Sequence, residues 1–379
     1  MVLAGGTAAA ACAAALFVTG LPVLAPVLRD ELGLSLGELG LVLAAAWIGS
    51  TLTLLPWGLA ADRYGERAVL ALGLAVCAAC LVAVAYAPGL ASLLVLLALA
   101  GAAGSSVNSA SGRAVMHWFP AGERGLALGI RQTAIPLGGL VGALAVPPIA
   151  EAGGSDAAFL FLGGLCAAGA VSGAVLLRAR EPADGVEAST VLGTLADGRL
   201  WRLCAGSGLY LYAQAVVLGF AVVFLHDEHG FSDGRAALVL AVSQVLAVGL
   251  RLGAGRWSDV VGSRVRPLRR LGLAVSASLF LTAALAGGPV ALLVAALAAA
   301  GGLTMAWNGL SFAAAAELAG ARRSGAAIGL QQTALSAVGV AAPIAFAAVV
   351  SATSWEVGFL TAALVPLAGW VALRPLQAH

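Results

Sequence analysis

The chain is a succession of long apolar runs separated by short charged segments. A helix needs about 20 apolar residues to cross the hydrocarbon core of a bilayer. The sequence therefore predicts an all-α membrane protein with about twelve transmembrane spans. Numbered 1 to 12 along the chain, they cover residues 3–28, 36–58, 68–87, 90–116, 125–149, 156–178, 200–225, 233–255, 268–286, 290–317, 325–349 and 354–373.

The composition supports the lipid bilayer as the main surroundings of this chain. It is 61% hydrophobic and only 10% charged, whereas a soluble protein carries about 25% charged residues. Residues 1–28 have neither a basic start nor a convincing cleavage site, so we interpret them as a retained first span. The net charge of +2 gives no indication of a nucleic-acid partner.

The arginines predict the orientation of the spans. All 20 basic residues are arginine, and those in the loops fall almost entirely on one side of the predicted spans. Only Arg29 and Arg235 lie in loops on the other side. Because basic residues accumulate in cytoplasmic loops, both termini are predicted to be cytoplasmic, in a plasma or inner membrane.

The two halves of the chain are related by an internal repeat. Residues 28–35 align with 225–232, and residues 58–67 with 255–264, both at an offset of 197. Residues 125–134 (GLALGIRQTA) align with 325–334 (GAAIGLQQTA) at an offset of 200. The sequence thus predicts two six-helix bundles, 1–178 and 199–379, joined by a cytoplasmic linker at 179–198.

The loop between spans 2 and 3 carries the pattern G-x-x-x-D-R-x-G-x-R, formed by Gly58, Asp62, Arg63, Gly65 and Arg67. This pattern resembles the signature loop of the major facilitator superfamily, and a degenerate copy with Asp259 stands where that family places its second one. The resemblance covers the whole chain. It implies that these residues form a conformational latch that favours the outward-open state, although Val260 replaces the arginine after Asp259.

The resemblance implies two pseudo-symmetric bundles and transport of a small solute by alternating access. The sequence shows no nucleotide-binding loop and no Ser-His-Asp or paired-carboxylate arrangement, so we expect no enzymatic activity and no cofactor, and we expect the protein to function as a monomer. Two alternatives stay open at this point. The same fold exports hydrophobic drugs or metabolites, and a chain of this kind could also act as a non-transporting sensor or receptor.

Arg251, in span 8, is the sharpest candidate for a substrate ligand. A charge inside a span costs about 2.5–3.5 kcal/mol on insertion scales, so such residues are functional candidates. Gln244 lies seven residues earlier on the same helical face. An arginine eight residues before Asp259 is similar to the anion ligand of nitrate and carboxylate permeases in this superfamily. The symmetric position in span 2 is Leu54, which favours an organic carboxylate over nitrate.

Arg131, in span 5, is the second candidate anion ligand, and its repeat counterpart is Gln331. The GIRQT run around it resembles anion permeases of the superfamily. An alternative for Arg131 is a structural salt bridge with Glu317 or Glu123.

Uncharged polar residues of spans 4, 7 and 10 are further candidates for substrate ligands, with helix–helix hydrogen bonding as the alternative: Asn108, Tyr210, Gln214 and Asn308.

Two charged residues near inner span ends are candidates for an inner gate, Arg113 and Glu317. No acid lies in the middle of a predicted span. Two buried arginines cannot release their protons at physiological pH, so the pattern favours anion exchange or facilitated anion movement over obligatory proton symport. The run His226-Asp227-Glu228-His229 is not interpreted as a metal site, because its repeat partner contains no histidine.

Overall fold

The structure is a computed structural model, and it describes residues 2–108, 110, 124–177, 193–320 and 323–378. Within these residues the chain is helical and contains no strand. A π-helical segment, Ala15–Gly20, connects the first two helices, and a 3-10 helix, Arg374–Ala378, follows the last. The α-helices are α1 (Val2–Ala14), α2 (Leu21–Leu32), α3 (Leu36–Tyr64), α4 (Glu66–Val84), α5 (Leu90–Gly104), α6 (Arg124–Leu176), α7 (Gly198–His229), α8 (Asp233–Val261), α9 (Val265–Leu285), α10 (Val290–Thr304), α11 (Asn308–Ala319), α12 (Ser324–Ala352) and α13 (Trp355–Ala372).

The chain divides into two compact units, Met1–Gly185 and Val186–His379. The first contains α1 to α6 and the second α7 to α13. The boundary falls within the segment 179–198, which the sequence predicts to be a linker. In the second unit, residues 193–197 precede α7 and contact the turn before α12, since Arg323 donates to the carbonyl oxygen of Gly193 at 2.8 Å.

Helix α6 contains two membrane crossings. Its apolar stretch, Arg131–Leu176, has 46 residues and would be about 69 Å long if straight, roughly twice the thickness of a bilayer core. The helical geometry is interrupted at Gly153 and Gly154, where φ is −146° and +70°. The eleven candidate spans of the described residues thereby become twelve crossings, which confirms the predicted fold class.

The carboxylate of Glu31 holds the start of the second part of α6. It accepts hydrogen bonds from the backbone N–H of Ser155, at 3.1 Å, and from the Ser155 hydroxyl. The first N–H groups of a helix have no partner inside the helix, and an anion there is stabilising. Glu31 therefore acts as a cap that ties the last turn of α2 to the second part of α6.

The internal repeat is visible in the bounds of the helices. Helices α3 and α8 both have 29 residues, and they begin and end 197 residues apart. Helices α5 and α10 both have 15 residues, and they begin and end 200 residues apart. Each of the latter two ends inside a predicted span, at Gly104 and Thr304. The two copies therefore share an interruption at the same place.

Glycines allow the helices of the first unit to approach closely. A Cβ atom added to Gly138 would collide with the backbone oxygen of Ala11, and one added to Gly142 would lie 2.6 Å from the oxygen of Ala15. The Thr19 hydroxyl donates to the carbonyl oxygen of Gly139 across the same contact. The π-helical segment thus packs directly against the backbone of α6.

Candidate functional site

Arg251 is fixed to the interruption between α10 and α11. Its Nε donates to the carbonyl oxygen of Met305 at 2.8 Å, and an Nη atom donates to Oδ1 of Asn308 at 3.3 Å. Residues 305–307 form a turn between the two helices, and this turn presents both oxygens to α8. Both acceptors are neutral, so these bonds orient the guanidinium without cancelling its charge.

Arg131 has a related arrangement in the first unit. It is only 6% exposed, and its Nη2 lies 3.5 Å from Oδ1 of Asn108, a long hydrogen bond. Asn108 follows the end of α5 by four residues, as Asn308 follows the end of α10. The structure therefore brings each predicted arginine together with a predicted asparagine of its own unit.

The two arginines are not repeat counterparts of each other. Arg131 lies on α6 and corresponds to Gln331, whereas Arg251 lies on α8 and corresponds to Leu54. Gln331 is fully buried, and its Nε2 donates to the hydroxyls of Ser207, at 3.3 Å, and Ser311. Its amide thus joins α12 to α7 and α11. Helix–helix hydrogen bonding of this kind is the alternative role that the sequence analysis gave for uncharged polar residues.

Two further predicted ligands, Gln244 and Gln214, are buried with polar atoms that lack hydrogen-bond partners. Gln244 is fully buried, and within the described residues neither its Nε2 nor its Oε1 has a partner. Gln214 is 9% exposed, and its Oε1 is likewise unpartnered within that part of the chain. A buried amide without partners costs about 1–3 kcal/mol per group. Gln244, with both amide atoms unpartnered, is therefore the side chain of the described second unit with the most to gain from a ligand.

Tyr210 lies in the hydrophobic core of the second unit and is fully buried. Its ring fills the space beside Gly272 of α9 and Gly369 of α13, where a Cβ atom would collide with it. It also contacts the ring of Trp307, with centroids 6.1 Å apart. Glycines on two neighbouring helices leave room for an aromatic ring, so Tyr210 is accommodated as a packing residue.

Trp307 is a residue of this region that sequence reasoning did not select. It is fully buried in the turn between α10 and α11, directly before Asn308. Its Nε1 has no hydrogen-bond partner among the described residues. The signal that could have selected Trp307 from the sequence is its position beside the candidate Asn308 inside an apolar run.

Comparison with known proteins assigns the family. A model of the Major Facilitator Superfamily matches residues 7–343 and, in a second match, residues 203–379. The chain belongs to the major facilitator superfamily. It is 37% identical over 368 residues to an uncharacterized MFS-type transporter of Mycobacterium tuberculosis, and this alignment covers 96% of the chain and 82% of the relative.

Shorter alignments relate this major facilitator protein to transporters with named substrates. It is 32% identical over 134 residues to the hexuronate transporter of Bacillus subtilis, covering 35% of this chain and 32% of that one. It is also 32% identical over 141 residues to a probable sulfoacetate transporter of Cupriavidus necator, covering 37% and 33%. The crystal structure of a variant of the nucleoside transporter NupG is similar in fold, with a TM-score of 0.78 at 14% identity and 99% coverage of both chains. This major facilitator protein is thus a multi-pass membrane transporter of small solutes.

The signature loop of this major facilitator protein lies between α3 and α4. Gly65 has a φ of +81° there, a conformation that favours glycine. Gly58 lies in the last third of α3, and the side chains of Arg63 and Arg67 are exposed. The side chain of Asp62 lies outside the part that the structure describes, so the role of the latch stays a prediction.

The second copy of the loop forms an ion-pair network within its own unit. Arg264 donates to Asp259 at 2.6 Å and to Glu317 at 2.9 Å. Partial burial alone would lower the pKa of Arg264, but its hydrogen bonds to Glu317 and Asp259 raise it above the ordinary value. Arg264, which aligns with Arg67, therefore supplies the cation that is missing at Val260.

Glu317 is held at the exposed edge of the second unit rather than beside a buried arginine. Its side chain is 60% exposed while it pairs with Arg264. The other candidate for the inner gate, Arg113, lies outside the described residues, as does Glu123. Within the described residues, no group of three or more His, Cys, Asp or Glu side chains could hold a metal ion.

Proposed function

We propose that this protein transports a small organic anion and that Arg251 binds the anionic group of the substrate. The observation that carries this proposal is the guanidinium of Arg251, held inside an apolar span by the neutral oxygens of Met305 and Asn308. A guanidinium offers a planar set of donors that matches a carboxylate bidentately. The two hydrogen bonds to Met305 and Asn308 fix the orientation of the guanidinium plane, and with it the direction of the remaining N–H donors.

The energetics of the membrane interior favour an anion at this position. A charge inside an apolar span is costly, and the oxygens of Met305 and Asn308 orient the Arg251 guanidinium as neutral hydrogen-bond acceptors. A carboxylate or sulfonate from a substrate supplies the opposite charge. Arg131, held by Asn108 in the other unit, has the same chemistry and is our second proposed anion ligand.

The polar amides beside Arg251 favour a substrate with further hydrogen-bonding groups. Gln244 lies two helical turns before Arg251 on α8, and its amide has no partner among the described residues. The relatives named for hexuronate and for sulfoacetate transport support an anionic substrate, since both of those solutes carry a carboxylate. We place the transporter in the plasma or inner membrane with both termini in the cytoplasm.

The proposal is tested with purified protein, by measuring the midpoint of thermal unfolding against glucuronate, sulfoacetate and neutral glucose. A ligand that binds only the folded state raises that midpoint in proportion to the logarithm of its concentration over Kd. We expect at least one of the two anions to raise it and glucose to leave it unchanged. Equal effects of the anions and glucose, or none from either anion, would contradict the proposal.

Variants of Arg251 assign the effect to this side chain. Arg251→Gln should weaken anion binding by about tenfold or more, because a charge-assisted bidentate contact is lost. Arg251→Lys keeps the charge but loses the planar set of donors, so an intermediate affinity is expected. Arg235→Gln, an exposed arginine at the other end of α8, is the matched control and should bind as the wild type does. Wild-type affinity in Arg251→Gln would refute the assignment.

A further inference from the structure

The arginines at the α8–α9 turn fall into two groups by what they contact. Arg264 is engaged by Asp259 and Glu317. Arg269 is buried, donates from Nε to the carbonyl oxygen of Trp370 at 3.0 Å and stacks on the Trp370 ring, with Cζ 4.6 Å from its centroid. These two residues therefore have structural roles within the second unit.

Arg266 and Arg270 belong to the other group. Both are exposed, and no carboxylate of the described residues forms an ion pair with either of them. They are four residues apart on α9, so their side chains are neighbours on one helical face. Arg270 lies over the ring of Trp257 of α8, with Cζ 5.7 Å from its centroid. We call Arg266, Arg270 and Trp257 the basic–aromatic patch.

The basic–aromatic patch lies at the polar end of an apolar stripe. On α9 the exposed positions continue from Arg266 and Arg270 through Leu273, Ala277 and Leu281. This spacing of three or four residues follows one face of a helix. Because α9 is long and apolar enough to span a bilayer, an exposed leucine stripe on it faces acyl chains. The two arginines are then at the level of the lipid headgroups.

We propose that the basic–aromatic patch binds the phosphate of an anionic phospholipid, whose acyl chain lies along Leu273 and Leu281. Arginine side chains hold phosphate oxygens through parallel N–H donors. Tryptophan is favoured at the membrane–water interface, where its indole is partly apolar, and Trp257 also holds Arg270 in place by a cation–π contact. This binding site is independent of the proposed substrate and uses the proposed cytoplasmic orientation of the α8–α9 turn.

The charge of the surroundings favours this ligand over a zwitterionic lipid. The cytoplasmic leaflet is negatively charged, and arginines near its surface each contribute to attraction. Nearby Val260 of α8 is also exposed and apolar, which suits contact with lipid better than contact with a soluble acidic partner. The site thus has a charged end for the phosphate, an indole at the level of the membrane–water interface and an apolar continuation for the acyl chain.

The test uses the full-length protein, delipidated in a neutral detergent, with thermal unfolding and native mass spectrometry as readouts. Phosphatidylglycerol should raise the unfolding midpoint and remain bound in the spectrometer, whereas phosphatidylcholine and inorganic phosphate should not. In the double variant Arg266→Gln/Arg270→Gln, the half-maximal phosphatidylglycerol concentration should increase by about tenfold or more. The double variant Arg202→Gln/Arg235→Gln removes the same charge elsewhere and should behave as the wild type does.

A gentler variant keeps the proposal testable if the double variant does not fold. Trp257→Leu keeps every charge and removes the aromatic ring, so phosphatidylglycerol binding should weaken while phosphatidylcholine remains without effect. Equal stabilisation by the two lipids, unchanged binding in both patch variants, or an equal loss in the control variant would overturn the proposal. Stabilisation by inorganic phosphate alone would show a site for a free anion instead, and would overturn it as well.

Discussion

Asn308 and Asn108 occupy the same place in the two units, four residues beyond the ends of α10 and α5. Each supplies a side-chain oxygen to an arginine that lies on another helix. An amide is suited to this task because it accepts a hydrogen bond from a guanidinium while leaving its positive charge available. A carboxylate at the same place would accept the same bond and cancel the charge.

This difference leads to a prediction for Asn308→Asp. The new carboxylate would pair with Arg251 and occupy the charge that we assign to the substrate, so anion binding should weaken by about tenfold or more. The unfolding midpoint without ligand should change little, because the internal pair replaces an existing hydrogen bond. Isothermal titration with the anion that stabilises the wild type measures the effect. Undiminished affinity would mean that the substrate does not use Arg251.

The sequence singles out Arg131 and Arg251 as charges within apolar runs, but it does not predict what several other side chains contact. A charge within an apolar run is conspicuous in a sequence. The structure adds that each arginine contacts an asparagine just beyond the end of α5 or α10. The contacts of Tyr210 could not be predicted, because protein surrounds α7 along most of its length and the neighbours of the ring lie on α9 and α13. Glu317 was linked to a gate by its position along the chain, whereas its pairing with Arg264 depends on how α9 and α11 pack.

At the scale of helices, the sequence predicted the first residues of α3, α5, α8 and α10, and the repeat offsets of 197 and 200 recur in the bounds of these helices. The interruptions themselves were not predicted, because the runs 90–116 and 290–317 read as continuous spans. The π-helical segment Ala15–Gly20 also has no marker in the sequence beyond the nearby Pro22. Both features depend on contacts with neighbouring helices, through Asn108, Asn308 and Thr19, and hydrophobic periodicity does not report such contacts.

Close packing between α6 and the π-helical segment makes Gly142→Ala a sensitive substitution. The added methyl group would meet the Ala15 oxygen and the Thr19 hydroxyl, and overpacking of this kind typically costs about 1–3 kcal/mol. The unfolding midpoint in detergent should therefore fall. Gly329→Ala is the matched control, since nothing described lies within 4 Å of its added Cβ, and alanine there should be neutral or slightly stabilising. Equal effects of the two substitutions would contradict this view of the α6 contact.

For the whole molecule, the distribution of arginines makes a prediction about topology. Tyr64→Cys, in the α3–α4 turn, should be on the cytoplasmic side, and Glu228→Cys, at the end of α7, on the outer side. Both native side chains are exposed. In intact cells a membrane-impermeant maleimide should label only Glu228→Cys, and after permeabilisation it should label both. The wild type measures the background of the five native cysteines, all of which lie in apolar stretches. The reverse pattern would invert the proposed orientation.

The unequal placement of the two arginines has a consequence for the ancestry of the chain. A duplicated gene starts with identical copies, yet here the arginine that contacts the asparagine lies on α6 in one copy and on α8 in the other. The counterparts of these cations, Gln331 and Leu54, are neutral. Divergence has thus kept a contact between an arginine and this asparagine in each copy, while the helix that carries the arginine differs. Related transporters are expected to show an arginine beside the corresponding asparagine of each half, with the helix that bears the arginine free to vary.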